Sequence, residues 1–355
     1  MTSEGQRAAE APSIEAPSGE GTPVGNTAAG QELMRAIVQE AYGSSDDVLQ
    51  LARIPRPQPK DNEVLIRVRA AGLDRGTWHL TTGRPYLLRL IFGLRKPKNL
   101  VPGLDFAGTV ASVGSAVTRF RAGDDVYGFG QGTFAEFTVA RQDKIARKPG
   151  NVSFTEASAV PVSASTALQG LRAGGIKPGQ KVLILGASGG VGSFAVQLAK
   201  AAGVEVTASC SSSKIDLVRS LGADHVIDYT REDFADAGRH YDLILDIAGN
   251  PTLGRLRRAL APSGTAVIAG GEEGGSLTGS IDRAFRALAL SPFISQRFTM
   301  LVNHEGSEDL EHLAGLIEAG TLNPAIDRAF PLEQGQEAMR YFDAGKARGK
   351  IAVTI

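Results

Sequence analysis

Residues 181–192 read KVLILGASGGVG, and their reading decides the fold. A short apolar run, Lys181 to Leu185, ends in a glycine-dense turn that opens directly into a helical pattern. The turn has the form A-x-G-x-x-G, with Ala187 in place of the usual first glycine, followed by Gly189 and Gly192. Small residues let the backbone turn tightly and approach a pyrophosphate, whose charge meets the free N–H groups of a helix start. From Val191 the apolar residues Phe194, Ala195, Leu198 and Ala199 recur at helical spacing, and Gly203 ends the helix. A strand over 204–208 completes a β-α-β unit. Glycines alone also mark ordinary turns; the strand before and the helix after supply the context for dinucleotide binding.

The nucleotide is read at the end of that second strand. An NAD-specific unit usually places Asp or Glu there, accepting from the ribose hydroxyls. Here the chain reads Ser209-Cys210-Ser211-Ser212-Ser213-Lys214, with no carboxylate before Asp216. Hydroxyls and an ammonium group suit a 2′-phosphate, so NADPH is expected over NADH. The same serines also serve to cap the next helix, and Lys214 is equally readable as a solvated charge.

The chain has 355 residues, enough for two domains, with 42% hydrophobic and 21% charged residues, the composition of an ordinary globular protein. Lys plus Arg and Asp plus Glu balance at 38 each, so bulk charge favours neither nucleic acid nor an anionic membrane. No apolar stretch approaches the roughly 20 residues of a membrane span. The single cysteine, Cys210, excludes an internal disulfide and suits a reducing, cytoplasmic setting.

Residues 1–33 are expected to be a disordered tail, since they lack aromatic residues and nearly all large aliphatic ones. They carry neither the apolar core of a secretory signal nor the basic balance of a mitochondrial transit peptide. Strands are expected at 34–39, 63–70, 106–113, 125–127 and 134–139, separated by glycines, as in a small, partly closed β structure. Beyond residue 160 strands near 181–185, 204–208, 225–227, 242–246, 265–269 and 298–302 alternate with helices, as in a doubly wound parallel sheet. A helix over 310–319 and a closing strand over 350–355 end the chain.

The stretches GLDFAGTVASVG (103–114), GTFAEF (132–137), PVSASTALQGL (161–171), GASGGVG (186–192), LGADHVIDY (221–229) and GKARGKIAVTI (345–355) resemble the medium-chain dehydrogenase/reductase superfamily. Within it the chain is similar to the zinc-free quinone oxidoreductases related to zeta-crystallin, and TGRPYLLRLIFGLRKPKN (82–99) points to the group resembling reticulon-4-interacting protein. The resemblance implies an α/β fold. A Rossmann domain (161–305) would be flanked by a GroES-like, partly closed β-barrel catalytic domain drawn from 34–160 and 306–355. The cofactor would lie between them, and a homodimer is expected.

Zinc alcohol dehydrogenases carry a cysteine after the second strand, a Gly-His-Glu motif and a four-cysteine lobe. Here the corresponding stretches read AAGLDRGTW (70–78) and Gly103-Leu104-Asp105, and His79, His225, His240, His304 and His312 are scattered. No metal site is expected. Without a strong Lewis acid, hydride transfer to a quinone or to the β-carbon of an enone is the less demanding chemistry, because conjugation spreads the product's charge. The rival readings are a zinc-free alcohol dehydrogenase or carbonyl reductase, and a nucleotide-sensing or RNA-binding protein with little catalysis. The neutral charge disfavours the RNA version.

By position in the family motifs, Ala187, Gly189, Gly190, Val191 and Gly192 are expected to face the pyrophosphate. Ser211, Lys214 and Tyr229 are expected to hold the 2′-phosphate. Thr166 in the helix entering the Rossmann domain, Asp246, Gly249 and Asn250 after one strand, and Gly270 and Gly271 after the next complete the expected contacts with Arg348 and Lys350. On the catalytic side Tyr86 is the candidate proton donor. Asp74 stands where relatives often have asparagine, which puts a donor role there in doubt, since an ionised carboxylate only accepts. Trp78 and Phe134 are weaker candidates for lining the acceptor site. Cys210 has no base beside it and is not read as a nucleophile.

Overall fold

A computed structural model describes residues 32–236, 238–270 and 275–355. Gly271 and the expected N-terminal tail up to residue 31 lie outside the described residues. The strands Lys181–Leu185, Glu205–Cys210, His225–Asp228, Tyr241–Asp246, Leu260–Ile268 and Arg297–Met300 form one wholly parallel sheet. Numbered by sequence, its spatial order is 3-2-1-4-5-6. The order reverses between Lys181–Leu185 and Tyr241–Asp246, which puts the glycine-rich turn at the switch point where open sheets open a ligand crevice.

A seven-stranded sheet forms the second lobe, in the order Ile326–Pro331, Lys350–Thr354, Glu63–Leu73, Asp105–Val113, Asp125–Phe129 and Ile145–Arg147, with Phe137–Arg141 paired to Glu63–Leu73 off this path. The closing strand enters it by pairing antiparallel with Leu73 to Ala70, so the chain's two ends build one lobe. Leu33–Val38 and Gln50–Pro55 form a separate hairpin. Helix Pro161–Gly174 joins the lobes: proline at its first turn suits the open N–H there, and Gly175 in the left-handed region stops it. Its Ala164, Ala167, Leu168 and Leu171 pack in one cluster with Ala107 and Tyr127 of the mixed sheet and Val182 and Leu245 of the parallel one. Tyr127 is fully buried and donates to the Leu310 carbonyl (2.6 Å), tying helix Ser307–Glu318 to the same seam.

Two strand expectations shift. The stretch 134–139 becomes Phe137–Arg141, because Phe134 is a core side chain on a loop whose carbonyl accepts from Ile37. The strand expected at 265–269 begins at Leu260, since the Pro-Ser-Gly sequence over 262–264 is absorbed in a register break opposite Tyr241 and Leu243 instead of making a turn. Among the described residues no helix is long and apolar enough to cross a membrane.

Candidate functional site

The strand Lys181–Leu185 delivers the chain to Gly186, whose φ of +81° only glycine adopts freely. Helix Gly190–Ala201 starts at once, with Gly189 as its N-cap. A Cβ on Gly192 would lie 2.2 Å from the Gly186 carbonyl oxygen, so the third small position is set by close packing of strand-turn against helix. The amides of Gly190, Val191 and Gly192 are the open donors of a helix's first turn. Ala187 is fully buried, and its N–H donates to the Ser209 carbonyl (3.0 Å) of the neighbouring strand. It shapes the cradle from behind, away from a ligand's face.

Lys350 is buried against this turn: a Cβ on Gly190 would meet its side chain at 2.8 Å and Ser163 Oγ at 3.2 Å. Its ammonium group donates to Ser163 Oγ (3.0 Å) and stands 3.5 Å from Asp105 Oδ2, while Asp105 Oδ1 accepts from the Val162 N–H (2.9 Å). Burial drives the Asp105 carboxyl well above the usual range and the charge of Asp74 adds to this, against the opposing pull of Lys350. Gly349 N–H donates to the Ser188 carbonyl (2.9 Å), so the C-terminal loop is fastened directly to the fingerprint turn. Arg348, beside it, is exposed.

Asp74 is the N-cap of helix Arg75–Thr82, with Oδ1 accepting from Thr77 N–H (2.7 Å). Its Oδ2 is buried and has no hydrogen-bond partner among the described residues. Tyr86 lies on a different segment, half-exposed, with the Arg89 guanidinium 4.6 Å from its ring centre. Its backbone N–H donates to Ser276 (2.9 Å), and that of Leu87 to Leu277 (3.0 Å), so this segment is laced to the nucleotide lobe. No hydrogen bond joins Tyr86 to Asp74 among the described residues. Trp78 is tethered by its indole N–H to Asp343 (2.9 Å), and Phe134 is core.

Three expected cofactor contacts are otherwise engaged. The Asp246 carboxylate is fully buried and held by Arg283 (2.5 Å), which also donates to the Gly270 (3.1 Å) and Pro251 (3.2 Å) carbonyls. Burial pushes the Asp246 carboxyl up to about 6 despite that guanidinium. Asp246 thus anchors the loops after two strands, leaving Gly249, at φ +87°, and exposed Asn250 on the turn itself. Thr166 donates its hydroxyl to Val162 one turn back (2.6 Å). Lys214 donates to the Gly345 (3.0 Å) and Ala347 (2.7 Å) carbonyls, linking the second strand's end to the C-terminal loop that carries Arg348.

Ser211 is half-buried and Tyr229 exposed at adjacent strand ends. The parallel pairing of Asp228 with Cys210 brings a carboxylate next to this group, which the linear spacing did not show. Hydrogen bonds from Ser212 and Thr230 hold Asp228 below the usual carboxylate range. Cys210 is buried, and burial raises its thiol, as does Asp228, which keeps it inert. Asp105, Ser163 and Arg283 are the site residues that sequence reading missed. Only Asp105 carried a signal, its place in the Gly103-Leu104-Asp105 stretch. No group of three or more His, Cys, Asp or Glu side chains converges among the described residues.

The geometry has its counterpart in known proteins. Residues 60–150 match the alcohol dehydrogenase GroES-like domain, and residues 221–353 match the family described as zinc-binding dehydrogenase. The chloroplast envelope quinone oxidoreductase homolog of Arabidopsis thaliana is 33% identical over 338 residues, covering 91% of this chain and 98% of its own. The chain belongs to the medium-chain dehydrogenase/reductase superfamily. Another Arabidopsis thaliana relative, the chloroplastic NADPH-dependent alkenal/one oxidoreductase, is 33% identical over 334 residues, 90% of this chain and 79% of its own. The solved quinone oxidoreductase of Coxiella burnetii superimposes with a TM-score of 0.81 at 29% identity, covering 91% of this chain and all of that one. The Rossmann and GroES-like architecture and membership among oxidoreductases therefore stand.

Proposed function

We propose that this member of the superfamily is a zinc-independent, NADPH-dependent reductase that delivers hydride to a quinone or an α,β-unsaturated carbonyl. The observation that carries the reading is the donor chemistry beside the cradle. Where zinc members place cysteine and histidine, this chain has the capped Asp74 and Leu104, and its one thiol is buried in the other lobe. These residues do not make a zinc site. They do fit a dinucleotide: open helix-start amides, a cradle that a Cβ would fill, and a lysine directly behind it.

Bound NADPH would supply the hydride. The chain's part is to bind and orient. Gly189 to Gly192 receive the pyrophosphate at the positive end of a helix. Ser211, Lys214 and Tyr229 present hydroxyls and an ammonium group to a 2′-phosphate, and Gly249, Asn250, Gly270 and Arg348 border the crevice. Lys350 supports the cradle from below. Tyr86 would return a proton to the acceptor oxygen, with solvent as its substitute. Asp74, as an accepting cap, positions helix Arg75–Thr82 and does not donate.

A homodimer is part of this reading. Arg297–Met300 is an edge strand whose outer side pairs with no described strand, and Phe285, Leu288, Phe293 and Val302 are exposed around it. A second copy across a two-fold axis covers such an edge.

The test is NADPH oxidation followed at 340 nm with zinc-stripped protein and a panel of quinones, enones and saturated aldehydes, with NADH in parallel. Saturable turnover of quinones or enones, faster with NADPH, is expected. Turnover confined to saturated aldehydes would replace the reading with a carbonyl reductase. Tight NADPH binding without turnover would replace it with a nucleotide-binding protein.

A further inference from the structure

The segment 84–100 exposes what a folded chain normally hides. Tyr86–Leu88 and Arg89–Phe92 form two consecutive short helical turns. Leu87, Leu90, Ile91 and Leu94 fall at i, i+3, i+4 and i+7, the spacing that usually marks the core face of a helix. Here these side chains are outside, Leu94 just past the break at Gly93: their exposures are 40%, 65%, 65% and 68%. Leu277, 67% exposed on the nucleotide-lobe loop hydrogen-bonded to Leu87, extends the same apolar strip across the seam of the lobes.

The strip is framed by cations. From Arg75 to Leu104 there are six Arg or Lys residues and no Asp or Glu, in a chain whose total charge is zero. Arg84, Arg95, Lys96 and Lys98 are exposed, and none forms an ion pair with a described residue. Bulk neutrality, from which no membrane affinity was expected, averages this concentration away.

The geometry points to a peripheral docking surface for an anionic lipid bilayer, with Leu87, Leu90, Ile91 and Leu94 entering the headgroup boundary and Arg84, Arg95, Lys96 and Lys98 on the phosphates. A bilayer fits better than a protein groove for two reasons. The stripe is barely two turns long and mostly aliphatic, too short to read a matched groove, whereas a fluid interface needs no shape complementarity. A local excess of four or more basic residues beside an apolar face has its natural complement in the negative surface of a lipid leaflet. The proposal does not depend on the identity of the hydride acceptor.

The experiment is co-sedimentation of the full chain with vesicles of phosphatidylcholine alone and of phosphatidylcholine with phosphatidylglycerol. Binding to the anionic vesicles is expected, with release as NaCl rises from about 0.05 to about 0.5 M. Reversal of three cations (Arg95→Glu, Lys96→Glu, Lys98→Glu) should weaken it by more than about 100-fold, roughly fivefold per charge. The triple change Leu90→Ser, Ile91→Ser, Leu94→Ser should weaken it roughly tenfold or more through lost apolar burial. Both variants should keep the NADPH affinity and the thermal midpoint, which shows that they remain folded. Equal binding to both vesicle types, or no binding at low salt, would overturn the proposal. So would a serine variant that binds vesicles like the parent, or one that changes only the sedimentation mass, which would assign the strip to a second copy.

Discussion

Two buried ion pairs flank the cofactor crevice, and they are built differently. Asp246 and Arg283 meet at 2.5 Å, and the guanidinium spends two further hydrogen bonds on the Gly270 and Pro251 carbonyls. Asp105 and Lys350 stand 3.5 Å apart, with the ammonium group leaning instead on Ser163 and a second carboxylate, Asp74, adding its charge. The first pair closes loops within one lobe. The second joins the mixed sheet, the connecting helix and the closing strand beneath the pyrophosphate turn. A tight bidentate-capable arginine rigidifies, whereas a lysine is a flexible point charge, here with its stem packed against the glycine turn. The contrast marks the first as architectural; for the second, the proposed role is support of the cofactor turn.

The largest effect that would break this contrast is on stability. Arg283→Met strands a buried carboxylate and frees two loop carbonyls, and a loss of about 3–5 kcal/mol is expected in urea unfolding. A loss below 1 kcal/mol would mean that the pair is not architectural. A smaller effect follows from the Asp246 carboxyl, held near 6 by burial. A carboxyl whose folded value lies above its unfolded value of about 3.9 binds its proton more tightly in the folded state. Its contribution to stability is therefore greatest below the unfolded value and is lost as pH rises through 6, a change of about 2–3 kcal/mol. Thermal midpoints from pH 4 to 7 should show this slope in the parent and lose it in Asp246→Asn.

Lys350→Met sharpens the other half of the comparison. The pair is looser, at 3.5 Å, and the lysine makes one further hydrogen bond where the arginine makes two, so the expected destabilisation is milder, about 1–3 kcal/mol. Because Asp105 titrates above its unfolded value, that loss should grow with pH, larger at 8 than at 5.5. NADPH affinity, measured by cofactor fluorescence, should fall with it. An unchanged affinity would leave Lys350 a purely structural cation.

The parallel sheet was legible because its signals are local: an apolar run, a small-residue turn and a helical repeat follow one another within residues 181–203. The glycine turn between strand and helix was legible for the same reason. The ion pairs were not, since Asp105 and Lys350 are 245 residues apart and Asp246 and Arg283 are 37 apart, and only the packed fold brings them together. Asp246, placed at a strand's carboxyl end, reads naturally as a ligand contact; nothing in the local sequence shows that Arg283 will claim it. Leu87, Leu90, Ile91 and Leu94 have core spacing, yet the described residues leave them largely exposed.

The smallest expected effect concerns cofactor choice, where charges at the ends of two neighbouring strands replace the buried pairs. Lys214 is tied to the Gly345 and Ala347 carbonyls, and Asp228, kept ionised by Ser212 and Thr230, lies on the adjoining strand. A carboxylate there opposes a 2′-phosphate, but its oxygens are already filled by two hydroxyl donors and face Arg231 at 3.7 Å. The ammonium group lies on the strand-end loop that begins at Ser211, where its positive charge favours a 2′-phosphate. Lys214→Ala should therefore lower the NADPH over NADH preference about tenfold, the worth of one charge-assisted contact at a partly screened site. Affinity for NADH itself should barely move. If both cofactors weaken together, Lys214 acts by fastening the C-terminal loop, and the discrimination belongs to Ser211 and Tyr229.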